Sequence, residues 1–416
     1  VTHGATQTDG GIDRRRFVAS AAGGLAGLVS LGMSSPARIL PPVIRPPGPQ
    51  WLPTPDLLHH LPQMLDLADV PGAACAVVND GHTRVDGFGS ADVESRRGVG
   101  ADTVFEAASL GKPVFAYAVL RFADAGGLEL DRPLSQYMTV PGADGPLMRK
   151  VTARHVLSHT TGLPNWRDTA GPLEPASEPG HSFTYSGEAY FHLQRVVESL
   201  SGVPFERFMR MQVFEPLGLR DSSYGWLPAF GGRMAAGYDE KGKRLDVHGL
   251  IGPRLAQIAA QWNKPLDQWR YADAALASGV IFPDKGALPQ YITPNAAGSL
   301  LTTPADYARF LTRVVAPAPD GLQLKPETWR AAMTPQVRLN RALSWGLGWG
   351  IQQDDAGTLL WQWGANASFE NFVLADPAAH RAVAVFTNSQ NGSKVYQRIV
   401  TGVTGRDQPA FLWLYL

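Results

Sequence analysis

The sequence predicts an α+β protein: an antiparallel sheet flanked by helices, with a mainly helical segment inserted in its middle. Three observations predict it. Short apolar runs separated by turn signals cluster near both ends of the chain. The middle carries helical periodicity broken by long Pro/Gly loops. Hydrophobic content is 44% and charged content 18%, values of a chain that buries a core. Its 416 residues suffice for two or three domain-sized units, or for one large core with an insertion.

Taken in order, the first stretch reads as an address. Asp13-Arg14-Arg15-Arg16-Phe17-Val18 precedes a mildly apolar segment, Ala19 to Met33, and then the small residues Ser34, Ser35 and Ala37. A charged segment, a short apolar segment and a small-residue cleavage zone mark a secretory signal. Paired arginines followed by x-Phe resemble the twin-arginine export signal, so the mature chain is expected in the periplasm or outside the cell. The apolar segment is too short and glycine-diluted for the ~20 residues of a membrane span. Residues 1–37 are therefore assigned to the signal and 38–55, dense in proline, to an extended linker.

Residues 56–416 form the predicted folded unit, with an α/β part over 56–131 and 312–416 and the mainly helical part over 132–311. Ala73–Val78 and Thr83–Gly89 flank the turn signal Asn79-Asp80-Gly81-His82 and predict a hairpin. Ser109 to Asp124 reads as a helix stopped by Gly126-Gly127. Gly187–Leu200, Pro204–Val213 and Pro304–Val314 read as further helices. Leu359–Trp363, Phe369–Ala375 and Ala382–Thr387 read as three more strands, with Ala365-Asn366 and Asp376-Pro377 as breaks. A last helix is expected over Ser393–Val403.

Composition excludes several classes of function. Lys+Arg and Asp+Glu are both 37, with no like-charge run longer than three, so there is no nucleic-acid footprint and no polybasic membrane patch. The single cysteine, Cys75, excludes an intramolecular disulfide and reads as a small core residue. The ten histidines show no metal-ligand spacing, so no metal or other cofactor is expected.

Ser109-Leu110-Gly111-Lys112 is the only Ser-x-x-Lys in the chain. At helical spacing, i and i+3 share a face, which sets the lysine amine beside the serine hydroxyl. A serine nucleophile assisted by an amine needs that geometry. An unperturbed lysine, with a pKa near ~10.4, is a poor base at neutral pH, so burial must lower it toward ~7.

Three stretches resemble the serine β-lactamase and penicillin-binding-protein superfamily, in its class C-like branch, which also contains carboxylesterases and D-amino-acid peptidases. They are Phe105-Glu106-Ala107-Ala108-Ser109-Leu110-Gly111-Lys112 with Gly127–Pro133; Val151–Pro164 leading to Tyr185-Ser186-Gly187 and Phe214–Leu219; and Trp361-Gln362-Trp363-Gly364-Ala365-Asn366 before Phe369. The resemblance implies a β-lactamase/transpeptidase-like fold, Ser109 as the acylated nucleophile, Lys112 as its amine, and Tyr185 as the acid–base group. It also implies an oxyanion hole from the backbone N–H groups of Ser109 and Ala365, and a substrate-lining strand at Gln362, Trp363 and Gly364. His159 reads as a structural histidine in a turn, since no Gly-x-Ser-x-Gly elbow accompanies it. Trp345, Trp349, Trp361 and Trp363 read mostly as core, although a pair on the site-lining strand would suit an apolar acyl pocket.

Two departures bear on substrate. Relatives that act on β-lactams or D-alanyl peptides carry Lys-Thr-Gly or His-x-Gly on that strand, where this chain has Gln362-Trp363-Gly364. The family's Tyr-x-Asn is here Tyr185-Ser186-Gly187. A neutral glutamine and a bulky tryptophan favour an uncharged ligand. The expectation is an exported carboxylesterase working through an acyl-enzyme on short-acyl or aryl esters. A β-lactamase or D-alanyl-D-alanine carboxypeptidase, or an inactive binding domain, remains the alternative. Its partner would be a small ester or amide, with no nucleic acid and no stable membrane insertion of the mature chain.

Overall fold

The computed structural model describes residues 50–414, except 141, 170, 246, 286–287, 317–321 and 355–356. The predicted signal and most of the linker lie outside the described residues. Among the described residues there are eleven strands: β1 Gly72–Asn79, β2 His82–Asp92, β3 Arg97–Gly98, β4 Phe105–Ala108, β5 Leu300–Thr302, β6 Val337–Arg338, β7 Leu343–Trp345, β8 Gly350–Asp354, β9 Gly357–Asn366, β10 Phe369–Asp376 and β11 Arg381–Thr387. Nine form one antiparallel sheet in the order β3-β2-β1-β11-β10-β9-β8-β7-β6, and β4 pairs with β5. The first and last strands of the described residues meet where β1 pairs with β11, Ala73 opposite Thr387 and Val78 opposite Ala382.

Among the described residues twelve α-helical segments accompany them: α1 Pro55–Leu67, α2 Gly111–Asp124, α3 Ala153–Leu157, α4 Gly187–Ser201, α5 Phe205–Met209, α6 Glu215–Leu217, α7 Val247–Gln261, α8 Tyr271–Ile281, α9 Pro304–Val315, α10 Pro326–Met333, α11 Gly392–Thr404 and α12 Pro409–Leu414. Side-chain alternation along the strands splits the core in two. Ala74, Ala76 and Val78 of β1 face one core with Val114 of α2 and Phe310 of α9. Ala73, Cys75 and Val77 face the other with Leu57 of α1, Ile399 of α11 and Phe411 of α12. Cys75 is thus a buried core thiol, and burial pushes its pKa up to about 12.

The predicted antiparallel sheet with covering helices and a mainly helical middle is the fold observed. The predicted hairpin, the three C-terminal strands and the final helix fall within one to three residues of their observed limits. Pro204–Val213 is not one helix: α5 passes through a π-turn at Arg210–Phe214 into α6. The middle also contributes β5 to the sheet pair that precedes Ser109. Packing starts before Pro55, because Trp51 is buried and exchanges hydrogen bonds with the Asn79 side chain. Among the described residues no helix is long and apolar enough to cross a membrane.

Candidate active site

The site begins where β4 runs into α2. A bulge interrupts the β4–β5 register between Glu106 and Ala108. Ala108 has φ +50°, a left-handed conformation that costs a non-glycine residue roughly 1–2 kcal/mol. The strained turn leaves Ser109 ahead of the helix. Leu110 is the N-cap, so Ser109 is not the first helical residue that the pattern suggested. The shared face survives because the Lys112 N–H bonds the Ser109 carbonyl at 3.1 Å. Pro113 stands in the first turn, where a missing N–H leaves no helical bond unmade.

Lys112 lies on a helix whose first ten residues are all buried. Its Nζ is 2.9 Å from Ser109 Oγ and donates to the Ala297 carbonyl at 2.6 Å. Tyr185 and Tyr190 place their rings 4.7 and 5.6 Å from the amine. Burial lowers the Lys112 pKa from 10.5 to about 7. That displacement is worth about 5 kcal/mol in favour of the neutral amine. Two aromatic faces would return only about 1–4 kcal/mol to the cation, so desolvation wins. One N–H of the amine is committed to Ala297, and near neutrality a lone pair is free to accept the Ser109 proton.

Tyr185 is fixed from several sides. Burial raises its pKa above the usual tyrosine value, and hydrogen bonds with Ser109 and Gln362 only partly offset this. The phenol therefore stays protonated through neutral pH. Gln362 Nε2 donates to its oxygen at 3.1 Å, leaving the O–H to donate towards Ser109 or a leaving group. His159 holds the chain on either side of it. Its carbonyl accepts the Thr184 N–H at 2.7 Å, and its Nδ1 accepts the Ser186 N–H at 3.1 Å. Its ring stacks on Tyr185 with centroids 4.2 Å apart. His159 is fully buried, and burial followed by the nearby Lys112 holds it neutral.

The strand expected to line the site is β9. Gly364 is indispensable there, since a Cβ would sit 2.3 Å from the Ala107 carbonyl oxygen and 3.0 Å from the Leu110 nitrogen. This close crossing brings the neighbouring Ala365 to the segment that carries Ser109. Asn366 ties the same strand to Glu106 at 2.9 Å and to the Gly298 carbonyl at 3.3 Å. Gln362 is fully buried, with its amide directed to Tyr185 and to the Trp363 carbonyl. Its contact is thus with Tyr185. Trp363 is half-buried and packs against Tyr185, Trp345, Trp361 and Trp413. Trp345 and Trp361 are core, and Trp349 packs in the other core against Phe310.

Ser109, Lys112, Tyr185 and Gln362 thus come together. Sequence reading missed Ala297, whose carbonyl orients the amine, because a backbone acceptor leaves no residue-type signal. Among the described residues no cluster of His, Cys, Asp or Glu is arranged to hold a metal.

The Beta-lactamase family model matches residues 59–402. The chain belongs to that family. Its members are serine hydrolases of the β-lactamase and penicillin-binding-protein superfamily. Penicillin-binding protein 4 of Amycolatopsis lactamdurans is 27% identical over 345 residues, 77% of this chain and 81% of that one. Esterase EstB of Burkholderia gladioli is 34% identical over 187 residues, 36% of this chain and 46% of the esterase. A class C beta-lactamase structure superposes with a TM-score of 0.66 at 16% identity, over 84% of this chain and 95% of that one. That structural likeness speaks for the fold alone.

Proposed function

We propose that the protein is an exported carboxylesterase that cleaves short-acyl or aryl esters through an acyl-enzyme on Ser109. Ser109 Oγ attacks the ester carbonyl carbon while its proton passes to the neutral Lys112 amine. The tetrahedral oxyanion is met by the backbone N–H groups of Ser109 and Ala365, each such donor being worth about 10²–10³ in rate. Collapse breaks the bond to the alcohol oxygen, which takes a proton from the Tyr185 hydroxyl, and Lys112 resupplies that proton. Water then attacks the acyl-enzyme, and the same groups return Ser109 to its starting state.

The observation that carries the ester reading is the neutrality of β9. The strand holds no lysine, arginine or histidine, and its glutamine is buried against Tyr185. A substrate carboxylate would find no cation on this strand, a charge-assisted bond worth about 1.5–3 kcal/mol. An uncharged ester loses nothing. The likeness to an esterase supports this reading, over less than half of either chain. The β-lactamase or D-alanyl peptidase alternative is favoured by the longer match to a penicillin-binding protein.

The test compares a short-chain aryl ester with a chromogenic cephalosporin on the mature chain. We expect kcat/KM for the ester to exceed that for the cephalosporin by at least about a hundredfold. Ser109→Ala should abolish ester turnover and fluorophosphonate labelling in a folded protein. Comparable efficiency on both substrates would promote the β-lactamase alternative, and failure to label the wild-type chain would promote the inactive binding domain.

A further inference from the structure

We propose that a cavity beside α4, separate from the Ser109 site, binds a small organic monocarboxylate through Arg195 and His192. The cavity has a volume of about 260 Å³ and does not include Ser109, Lys112 or Tyr185 among its lining residues. One face of α4 forms a wall of it: Glu188, Phe191, His192 and Arg195, spaced i, i+3, i+4 and i+7. Tyr271, at the start of α8, closes it opposite Arg195.

The charges lining this cavity do not cancel among themselves. Glu188 is almost completely buried, and its Oε1 accepts the Arg167 backbone N–H at 3.0 Å and the Arg167 Nε at 3.1 Å. That pair is internally matched, and Arg167 also donates to the Gly171 carbonyl at 2.6 Å. Arg195 is different. Its guanidinium carbon stands 3.8 Å from the centroid of the Tyr271 ring. The carboxylate that acts on it is Glu198 of its own helix, which pairs with Arg270 at 3.7 Å, and among the described residues the Arg195 fork makes no salt bridge or hydrogen bond of its own. Contact with the ring covers one side of the guanidinium and leaves its N–H groups without a hydrogen bond among the described residues.

His192 is the second and independent sign. It is only 5% exposed, it lines the cavity, and its imidazole has no hydrogen-bond partner among the described residues. An imidazole that lines the cavity and bonds no protein atom can offer its N–H to a ligand atom there. Burial, then Arg195 and Arg167, hold its pKa down to about 3, so the ring is neutral and offers one N–H.

Together these groups present a planar cation and a neutral donor to one space. A carboxylate fits both, because its two oxygens match the guanidinium fork and one can also accept from the imidazole. A dianion would meet only one lining cation that is outside a salt bridge and would lie near Glu188, so a single negative charge is preferred. Phe191, Leu173 and Leu288 supply apolar wall for the remainder of the molecule. The volume suits an acid of about four to seven carbons.

Isothermal calorimetry on the full chain with benzoate, and with benzamide as its uncharged counterpart, tests the site. Benzoate should bind with a Kd of about millimolar or tighter, weaken as chloride rises, and exceed benzamide by at least about tenfold. Arg195→Gln should weaken benzoate by about tenfold or more, and His192→Phe by roughly threefold or more. Should Arg195→Gln fail to fold, Arg195→Lys keeps the charge but loses the fork, and should also weaken binding. Competitive inhibition of ester turnover by benzoate would assign the carboxylate to part of a substrate or product; non-competitive or absent inhibition would assign it to a free acid. Absence of benzoate binding, equal binding of benzamide, or unchanged binding by a folded Arg195→Gln variant overturns the proposal.

Discussion

His159 brackets Tyr185 with three contacts, and this arrangement makes the pH behaviour of the site specific. In the proposed mechanism Lys112 must be neutral to take the Ser109 proton, and its pKa of about 7 sets where that happens. Protonation blocks the base, so kcat/KM for an ester should rise with pH through about 7 and level off above it. Tyr185, raised by burial, and His159, held neutral, add no limb in that range. His159→Asn offers an amide oxygen to the Ser186 N–H, and asparagine tolerates the φ of +55°, but the stacked ring is lost. We expect the plateau to fall by about tenfold with the limb still near 7, and a Tyr185→Phe background to absorb the loss. A pH–rate series on the single and double variants measures this. An equal loss in both backgrounds would mean that His159 does not act through Tyr185.

At the scale of elements, the decisive feature is the crossing of β9 over the turn between β4 and α2. Backbone meets backbone there, so no flexible side chain can give way to a larger residue at 364. Gly364→Ala must therefore push the strand off Ala107 and Leu110 and, in the proposed mechanism, shift the Ala365 N–H that meets the oxyanion. The expected result is a loss in kcat of about a hundredfold, the usual cost of one oxyanion donor, with a loss of stability of about 1–3 kcal/mol. Steady-state kinetics with thermal unfolding of the same variant checks both, and a wild-type kcat would count against this role for the crossing. The same scale explains which elements the sequence concealed. Strands β5, β6 and β7 have two or three residues each, too few for alternation to register. Helix α1 carries its N-cap Thr54 and the buried series Leu57, Leu61 and Leu65, but Pro62 inside it interrupts the helical signal, and the sequence reading assigns no element there. Helix α8 is apolar on more than one side, so it shows no amphipathic stripe.

At the scale of the whole molecule, the first and last strands of the folded unit complete one sheet, and the Gly72 N–H donates to the Asn388 side chain across 316 positions. We propose that the chain is exported by the twin-arginine route on account of Arg14-Arg15 and Phe17. Changing both arginines to lysine should then leave the precursor inside the cell, as a fractionation immunoblot would reveal; normal export of that variant would exclude the route. Sequence by itself determined the elements whose signal is local. These are β1, β2 and β9–β11, where apolar runs and turns alternate, the helices α2, α4, α9 and α11, and the pairing of Ser109 with Lys112, which needs only a spacing of three. The resemblance pointed to Tyr185 and β9, which spacing alone does not single out. Only the tertiary structure decided the chemistry of these groups. The lysine pKa depends on packing from distant segments, its orientation on the Ala297 carbonyl 185 residues away, and the tyrosine's partners on Gln362 and His159. Desolvation and hydrogen-bond geometry are properties of surroundings, and a chain acquires surroundings only when residues far apart in sequence are brought into contact.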